Sequence, residues 1–589
     1  MNLQPAQKNW KLLQPDKTLL EEFENALPVS PVLARVLLNR GISSLDEASS
    51  FLSPGIGYLH NPSLMDGVDR AVERTLKAVH SGEKIMVHGD YDVDGVTSTA
   101  LLVRVLRLMK ADVSWYIPHR EKEGYDISQA AVDEARLRGV SLIITVDCGT
   151  SAVEAVEYAG SLGIDVIVTD HHEVGEALSP AYVIVNPKKP GCPYPFKGLA
   201  GVGVAFKFAE ALVHAAGYHV EAYRRRFCDL FAVGTVADIV PLLGENRVLV
   251  KSGLDELPRS GKKGLRALIE VARLSGRTVN SQNLAFVLAP RLNAAGRMGD
   301  ASVALELLLS RDDAEALELA EKIDAQNRER QSEQERIVEE ALSQIEERGL
   351  CKKYKVLVIA SQGWHPGIIG IVASKITERF SRPAVMVAVD KTGEMGVGSA
   401  RSIEAFDLFN SISRCGHLLE RFGGHAKAAG LSISMENLPE FTSAINRIAD
   451  ETLTEQDLLP QIVVDAELDL DSVTLNLAKE LELLEPLGHG NRQPVFMSSG
   501  AVVLQKNRIG SAGAHLKLRL GRSGLRAVEC VAFGWGNREE AFKLGSCIDL
   551  CYNIQANRFG GQETVQMVLR DARPSLTQIL DVAPPGNLA

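Results

Sequence analysis

The sequence predicts an α/β protein with two α/β lobes, a helical connector between them and a small C-terminal β-barrel. Three observations predict it. Between about residues 84 and 240, short apolar runs alternate with helical stretches, and repeated β–α units give a parallel sheet with helices on both faces. Around 300–350 the chain becomes rich in Glu, Arg, Gln and Ala, as in EALELAEKIDAQNRERQSEQERIVEEALSQIEE, which reads as long helices. Beyond 460 come short alternating strands such as AVVLQKNRIG and HLKLRLG with few helices, the pattern of a small barrel.

Taken in order, residues 1–55 form a mixed leader expected to pack on the domain that follows. Residues 56–275 are expected to be a catalytic domain, with strands KIMVHGD, DVSWYIP, SLIITVDCG, DVIVTDHH and AYVIVNP. Most of these strands end in a polar signature: His88 and its aspartates, Asp147, then Asp170-His171-His172. Open α/β sheets bind ligands beyond the carboxyl ends of their strands, so these groups should converge. Residues 276–350 are read as a solvated helical connector in preference to a coiled-coil partner surface. The second lobe, 351–455, starts near KVLVIAS and carries Gly-rich segments at Gly363–Gly367, Gly396–Ser402 and Gly423–Ala426. Residues 456–575 are the barrel, and 576–589 a tail.

A length of 589 residues calls for two or more domains, each with its own core. Hydrophobic content of 45% with mean hydropathy near zero indicates a globular protein, and the apolar runs are too short to span a bilayer. MNLQPAQKNWKLLQPD offers no apolar signal region, so a cytoplasmic location is expected. The eight cysteines are scattered without a Cys-x-x-Cys pair, which suits a reducing compartment and argues against structural zinc. A net charge of −11 excludes a uniformly basic coat, though not a local positive groove.

The most informative segment is His88-Gly89-Asp90-Tyr91-Asp92-Val93-Asp94-Gly95, lying between an apolar strand and an apolar helix-forming run. Three carboxylates in one turn repel each other unless a cation holds them, and hard divalent ions take carboxylate oxygens with imidazole as a complement. An EF-hand loop would need Glu at its twelfth position, which is Leu101 here. A solvated acidic turn is the weaker alternative.

The candidate ligands are His88, Asp90, Asp92, Asp94, Asp147, His171, His172 and Asp238. Asp238 lies in the apolar stretch AVGTVADIVPL, where an unpaired carboxylate is costly to bury. His171 and His172 are adjacent, so one is expected to face the metals and the other a substrate phosphate, with Asp170 orienting an imidazole. This set exceeds the needs of one ion. Two divalent ions sharing a bridging carboxylate would use it, generating a hydroxide for phosphodiester hydrolysis. Oxygen-rich ligation favours Mn²⁺ or Mg²⁺. Cys148 reads as a packed residue, since no histidine–acid relay accompanies it.

His88–Gly95, Asp147-Cys148-Gly149, Asp170-His171-His172 and Asp238 together resemble the four motifs of the DHH phosphoesterase superfamily. Gly423-Gly424-His425 is similar to the signature of its companion DHHA1 domain. Pro118-His119-Arg120, Glu123-Gly124-Tyr125, the run Arg291–Arg297 and Trp364-His365-Pro366-Gly367 extend the likeness. Across about 55–575 the chain resembles the superfamily's bacterial single-stranded-DNA-specific exonucleases.

That resemblance implies a 5′→3′ exonuclease acting in DNA repair and recombination and releasing 5′-mononucleotides. It also implies an OB-fold as the C-terminal barrel. His88 and Asp92 would hold one ion, Asp94, His171 and Asp238 the other, and Asp147 would bridge. His172 would contact the scissile phosphate, with Asp90 and Asp170 supporting. Arg120, Arg297, Ser399 and Arg401 would read the 5′ phosphate, with Gly423, Gly424 and His425 lining the facing lobe. Arg291 is a further phosphate candidate, with a surface ion pair as its alternative.

Lys506, Arg508, Lys517, Arg519 and Phe559 are plausible strand contacts in the barrel, although for each alone a solvated role is the better reading. The implied partners are single-stranded DNA, single-strand-binding protein and a RecQ-type helicase, with no membrane and a monomeric state. The rival activity is a phosphoesterase of the same superfamily acting on short oligonucleotides, cyclic dinucleotides or pyrophosphate. A scaffold that lost its metals is the rival from another class, and the complete ligand set argues against it.

Overall fold

The computed structural model describes residues 8–575 apart from 121, 176, 522–526, 560 and 561. The tail expected at 576–589 lies outside the described residues, as does the side chain of Phe559. The chain forms two compact units: His60–Asp238 with Ser252–Pro460, and Lys8–Leu59 with Ile239–Lys251 and the chain from Gln461.

In the first unit, five parallel strands lie in the order Asp112–Tyr116, Lys84–Gly89, Leu142–Val146, Asp165–Thr169, Val183–Val185. The order reverses beside Lys84–Gly89, so the chain that leaves this strand enters the crevice where such sheets bind ligands. The helix Val93–Leu108 starts at Asp92, whose Oδ1 accepts from the N–H groups of Asp94 at 2.9 Å and Gly95 at 3.1 Å. Such a cap contributes about 1 kcal/mol. Gly95 is required there, because a Cβ would run into the backbone of Asp90. The helix is buried on nearly every side, between the sheet and the helices Gly201–Ala215 and Val220–Ala237, which explains its largely apolar sequence.

The connector is not solvated all round. Its helix Asp313–Glu347 buries Ala316, Ala320, Ile323, Asn327, Arg330, Gln334, Ile337, Ala341 and Ile345, a stripe at mostly alternating steps of three and four. That stripe packs against the helices Lys263–Val271, Ala289–Met298 and Pro366–Phe380. Arg330 stays polar inside the seam because Asn327 and Gln334 accept its guanidinium hydrogens. The second lobe is a five-stranded sheet in the order Arg421–His425, Ala428–Ser434, Met395–Arg401, Ala384–Val389, Leu357–Gln362. Only the last two strands run parallel.

The second unit corrects the expectation for residues 1–55. The apolar faces of its three helices, including Phe23, Leu33, Leu37 and Phe51, share one core with Leu484, Phe496, Leu518 and Tyr552. The strand Asn9–Leu12 pairs with Gln461–Val464. The described leader thus completes the C-terminal unit. Local amphipathicity shows that a face must be buried, without naming the face that buries it. In the barrel, Phe496–Ile509 pairs with both His515–Gly521 and Cys547–Phe559, and Val528–Ala532 and Gln562–Pro574 complete a closed ring of five strands.

Candidate metal centre and anion pocket

The polar residues that end the sheet strands meet. Within ligand-to-ligand spacings of 4.8 Å the structure brings together Asp94, His171 and Asp238; Asp90, Asp92 and Asp147; and Asp147, His171 and His172. Asp147 belongs to two of these groups, and His171 Nε2 lies 3.1 Å from its Oδ1, 3.6 Å from Asp238 Oδ2 and 3.8 Å from Asp94 Oδ2. His88 belongs to none of the groups at that spacing, yet it is fully buried and its Nε2 has no partner. Asp90, read from sequence as supporting, lies within ligand distance of Asp92 and Asp147.

Local structure delivers these side chains. Asp147 follows a buried strand in a left-handed conformation with φ 63°, rare outside glycine and typical of functional turns. Asp238 ends the helix Val220–Ala237, its N–H donating to Gly234 O. Asp94 is oriented by the first N–H groups of the helix Gly201–Ala215: Gly201 N donates at 2.6 Å and Val202 N at 2.8 Å. Asp170 is buried, accepting from the backbone N–H groups of His171, His172 and Thr150 and from His172 Nδ1 at 2.8 Å.

The electrostatics are those of a site built for cations. Burial, then Asp92, pushes the Asp94 carboxyl up to about 7, and burial, then Asp94, pushes Asp238 up to about 9. Burial and the neighbouring carboxylates also raise Asp90 and Asp147. Burial lowers His88 to about 4 and His171 to about 3, keeping both imidazoles neutral as ligands must be. Buried polar groups are nearly always hydrogen-bonded. Here Asp90 Oδ1, Asp147 Oδ1, Asp238 Oδ2, His88 Nε2 and both His171 nitrogens lack a partner. A hard divalent pair fits these orphaned donors: carboxylate oxygens dominate, with imidazole as the complement.

His172 differs. Burial lowers its pKa, but the hydrogen bond to Asp170 and the charges of Asp170, Asp94 and Asp90 together outweigh that and leave it raised, so its half-exposed ring is suited to donate to an anion. The Tyr125 hydroxyl lies 2.9 Å from its Nδ1, and Asn186 Nδ2 donates to its carbonyl at 3.0 Å. Sequence reasoning gave neither a role, although Tyr125 lies in the matching segment Glu123-Gly124-Tyr125. Asn186 ends the strand run AYVIVNP and carries the same polar strand-end signal used for the others; Tyr125 carries no such signal.

Facing these carboxylates is a cationic cluster. Arg297 donates to Gly367 O at 2.9 Å, joining the connector to the second lobe, and Arg401 Nη1 donates to Ser399 Oγ at 3.2 Å. Burial, then repulsion from Arg120, Arg330 and Arg401, lowers Arg297 to about 10, so these guanidiniums crowd one another. Arg120 stacks over the Tyr91 ring at 5.1 Å, within the acidic motif itself. Arg291 is instead tied to Asp324 at 2.9 Å and to Val287 O, the ion pair weighed as its alternative. Gly423, Gly424 and His425 lie on an exposed strand. In the barrel, Arg508 pairs with Glu539, Lys517 with Glu529, and Lys506 donates to Glu539 O.

Residues 84–235 match the DHH family N-terminal domain, 352–451 the DHHA1 domain and 464–571 the RecJ OB domain. The chain is 40% identical over 577 residues to the single-stranded-DNA-specific exonuclease RecJ of Bacillus subtilis, covering 98% of this chain and 72% of that protein. Crystal structures of RecJ from Thermus thermophilus are similar. The Mn²⁺ complex has a TM-score of 0.82 at 32% identity, covering 98% of this chain and 81% of that one. The Mg²⁺ complex has 0.75 at 31%, covering 97% and 79%.

Proposed function

The chain belongs to the RecJ family of single-stranded-DNA-specific exonucleases, and we propose that it shortens single strands from the 5′ end, releasing 5′-mononucleotides during DNA repair and recombination. One observation carries this reading. A centre of unsatisfied buried carboxylates and imidazoles lies beside crowded arginines, so the donors for divalent cations adjoin those for a phosphate.

When bound, a pair of Mn²⁺ or Mg²⁺ ions supplies positive charge to the phosphate and a nucleophile from water at neutral pH. Asp94, His171 and Asp238 would hold one ion, and Asp92 with Asp90 or His88 the other, with Asp147 shared. His172, raised by Asp170, donates a hydrogen bond to a phosphate oxygen and is steadied by Tyr125. Arg120, Arg297 and Arg401 with Ser399 bind a terminal phosphate, because guanidinium forks match its oxygens. A 5′ phosphate caught there leaves the adjoining phosphodiester toward the carboxylates, which is the basis for the polarity. Gly423, Gly424 and His425 offer exposed backbone and an imidazole to the strand.

No helix among the described residues is long and apolar enough to cross a membrane. A cytoplasmic monomer working with single-strand-binding protein and a RecQ-type helicase completes the proposal; sedimentation and pull-down test it.

The deciding experiment digests a 5′-phosphorylated, 3′-labelled oligodeoxynucleotide, single-stranded beside blunt duplex, with Mn²⁺ and with EDTA. Shortening of the single strand alone, from its 5′ end and only with metal, is expected. Hydrolysis limited to dinucleotides or pyrophosphate would overturn the substrate and leave the metal centre standing.

A further inference from the structure

The two helices that present Asp94 and Asp238 carry a second, unrelated feature at their other ends. Arg104 and Arg107 lie in the last turns of Val93–Leu108, and Arg225 and Arg226 near the start of Val220–Ala237. At 1.5 Å per residue this places them about 15–20 Å from the metal ligands. With residues 259–262 and Arg311 they line a cavity of about 700 Å³, within the range of small-molecule sites.

Its lining holds seven cationic side chains against two carboxylates, in a protein whose net charge is −11. Both carboxylates are already engaged. Lys262 Nζ lies 2.7 and 2.9 Å from the oxygens of Asp229, and Arg225 lies 3.0 Å from Glu256 with Arg259 at 3.6 Å. Arg104 makes its hydrogen bonds to a neutral group alone, donating twice to Leu308 O. Arg107, Arg226 and Arg311 form no ion pair among the described residues. Four guanidiniums therefore share one cavity without an ion pair of their own, and the counter-charge that reaches Arg104, Asp229, is already held by Lys262.

They repel each other: burial lowers the pKa of Arg104, Asp229 raises it in part, and Arg311, Arg226 and Arg107 each lower it further. The helix Lys263–Val271 adds the positive end of its dipole, because Lys262 at its N-terminus lines the cavity and makes no side-chain cap. Nothing in the phosphodiester chemistry calls for so much uncompensated charge so far from the metals.

We propose that this cavity binds a compact polyphosphate, a di- or triphosphate chain either free or as the arm of a nucleotide. Four guanidiniums match the charge of a triphosphate, and their planar forks match its oxygens. A depression of this volume suits a small molecule better than a nucleic-acid strand.

The test is calorimetric titration of the full-length protein in EDTA, which keeps the metal centre from holding phosphate. The titrants are inorganic tripolyphosphate, ATP and a 5′-phosphorylated oligodeoxythymidylate. One saturable site for tripolyphosphate is expected, weakened at least ~10-fold in Arg107→Ala/Arg311→Ala. Exonuclease activity without added polyphosphate should stay within about twofold, since neither residue touches the metal centre. Tighter binding of ATP would assign the nucleotide as the source, and tighter binding of tripolyphosphate the free chain.

Arg107→Lys, which keeps the charge and loses the fork, should bind with intermediate affinity and guards against a folding artefact. Equal affinity in wild type and double variant would overturn the proposal. So would the absence of saturable polyphosphate binding, or a variant defect confined to the oligonucleotide.

Discussion

Asp147 is where the two halves of the centre meet. It is buried, left-handed in its backbone, and within ligand distance of Asp90 and Asp92 on one side and of His171 and His172 on the other. Asp147→Ala should therefore remove a shared ligand, whereas Asp90→Ala removes a member of one group. In Mn²⁺-dependent digestion of a single-stranded oligonucleotide, Asp90→Ala is expected to slow turnover about 10–100-fold and Asp147→Ala to slow it further. Equal losses would undo the shared role. Tyr125→Phe deletes a hydroxyl 2.9 Å from His172 Nδ1 and leaves the ring. It should lower kcat about 10-fold with KM unchanged, because a contact that only steadies a donor acts on the reacting complex. These carboxylates and histidines were legible because charge clustered at strand ends needs a reason; Tyr125 stood in a matching segment, but its role was not legible, since one aromatic in a loop looks like any other.

At the scale of elements, the helix Gly201–Ala215 does more than fill the core. Its first N–H groups hold Asp94, and a Cβ on Gly201 would press into the Asp147 carboxylate. Gly201→Ala should thus abolish Mn²⁺ binding, read by calorimetry, while the circular dichroism stays native. No charged group changes in this variant, so an unaffected metal affinity would show that the close packing is not required. In the sequence Gly201 is one small residue in an apolar stretch, and its role depends on a strand end far away in sequence. The connector shows the same limit. The stripe from Ala316 to Ile345 was present in the sequence, but whether it faced solvent, a partner or its own lobes was decided by the helices beside it.

For the whole molecule, metal and proton compete for the same oxygens. Without metal, Asp94 and Asp238 titrate at about 7 and about 9, above the unfolded carboxylate value near 4. The folded state then keeps protons that the unfolded chain releases, so this contribution is full below about pH 4 and is lost as pH rises toward 9. His88 and His171, lowered to about 4 and about 3, remove stability in the opposite direction, below about pH 6.5. Between pH 6.5 and 9 the carboxylates set the slope, together with His172, whose raised pKa acts in the same direction. The melting temperature of the EDTA-treated protein should fall across that window, and saturating Mn²⁺ should flatten it; a flat metal-free profile would contradict the burial of these groups. A truncation tests the shared core. Deleting 461–589 strips the partners from Phe23, Leu33, Leu37 and Phe51, so the shortened chain should aggregate on expression unless residues 8–59 are removed with it.

By itself the sequence determined the class of fold, the strands of the catalytic sheet and the identity of the residues that meet at their ends. These are local properties: periodicity sets the element, and carboxylates clustered beside apolar runs call for a cation. Tertiary structure alone decided which groups share an ion-sized space, that the described leader joins the barrel unit, and that Arg291 pairs with Asp324. It also gathered Arg104, Arg107, Arg226 and Arg311 around one cavity from three separated stretches of chain. Each of these is a distance between residues remote in sequence, and such distances are set by which apolar faces bury one another, a choice that no single segment encodes.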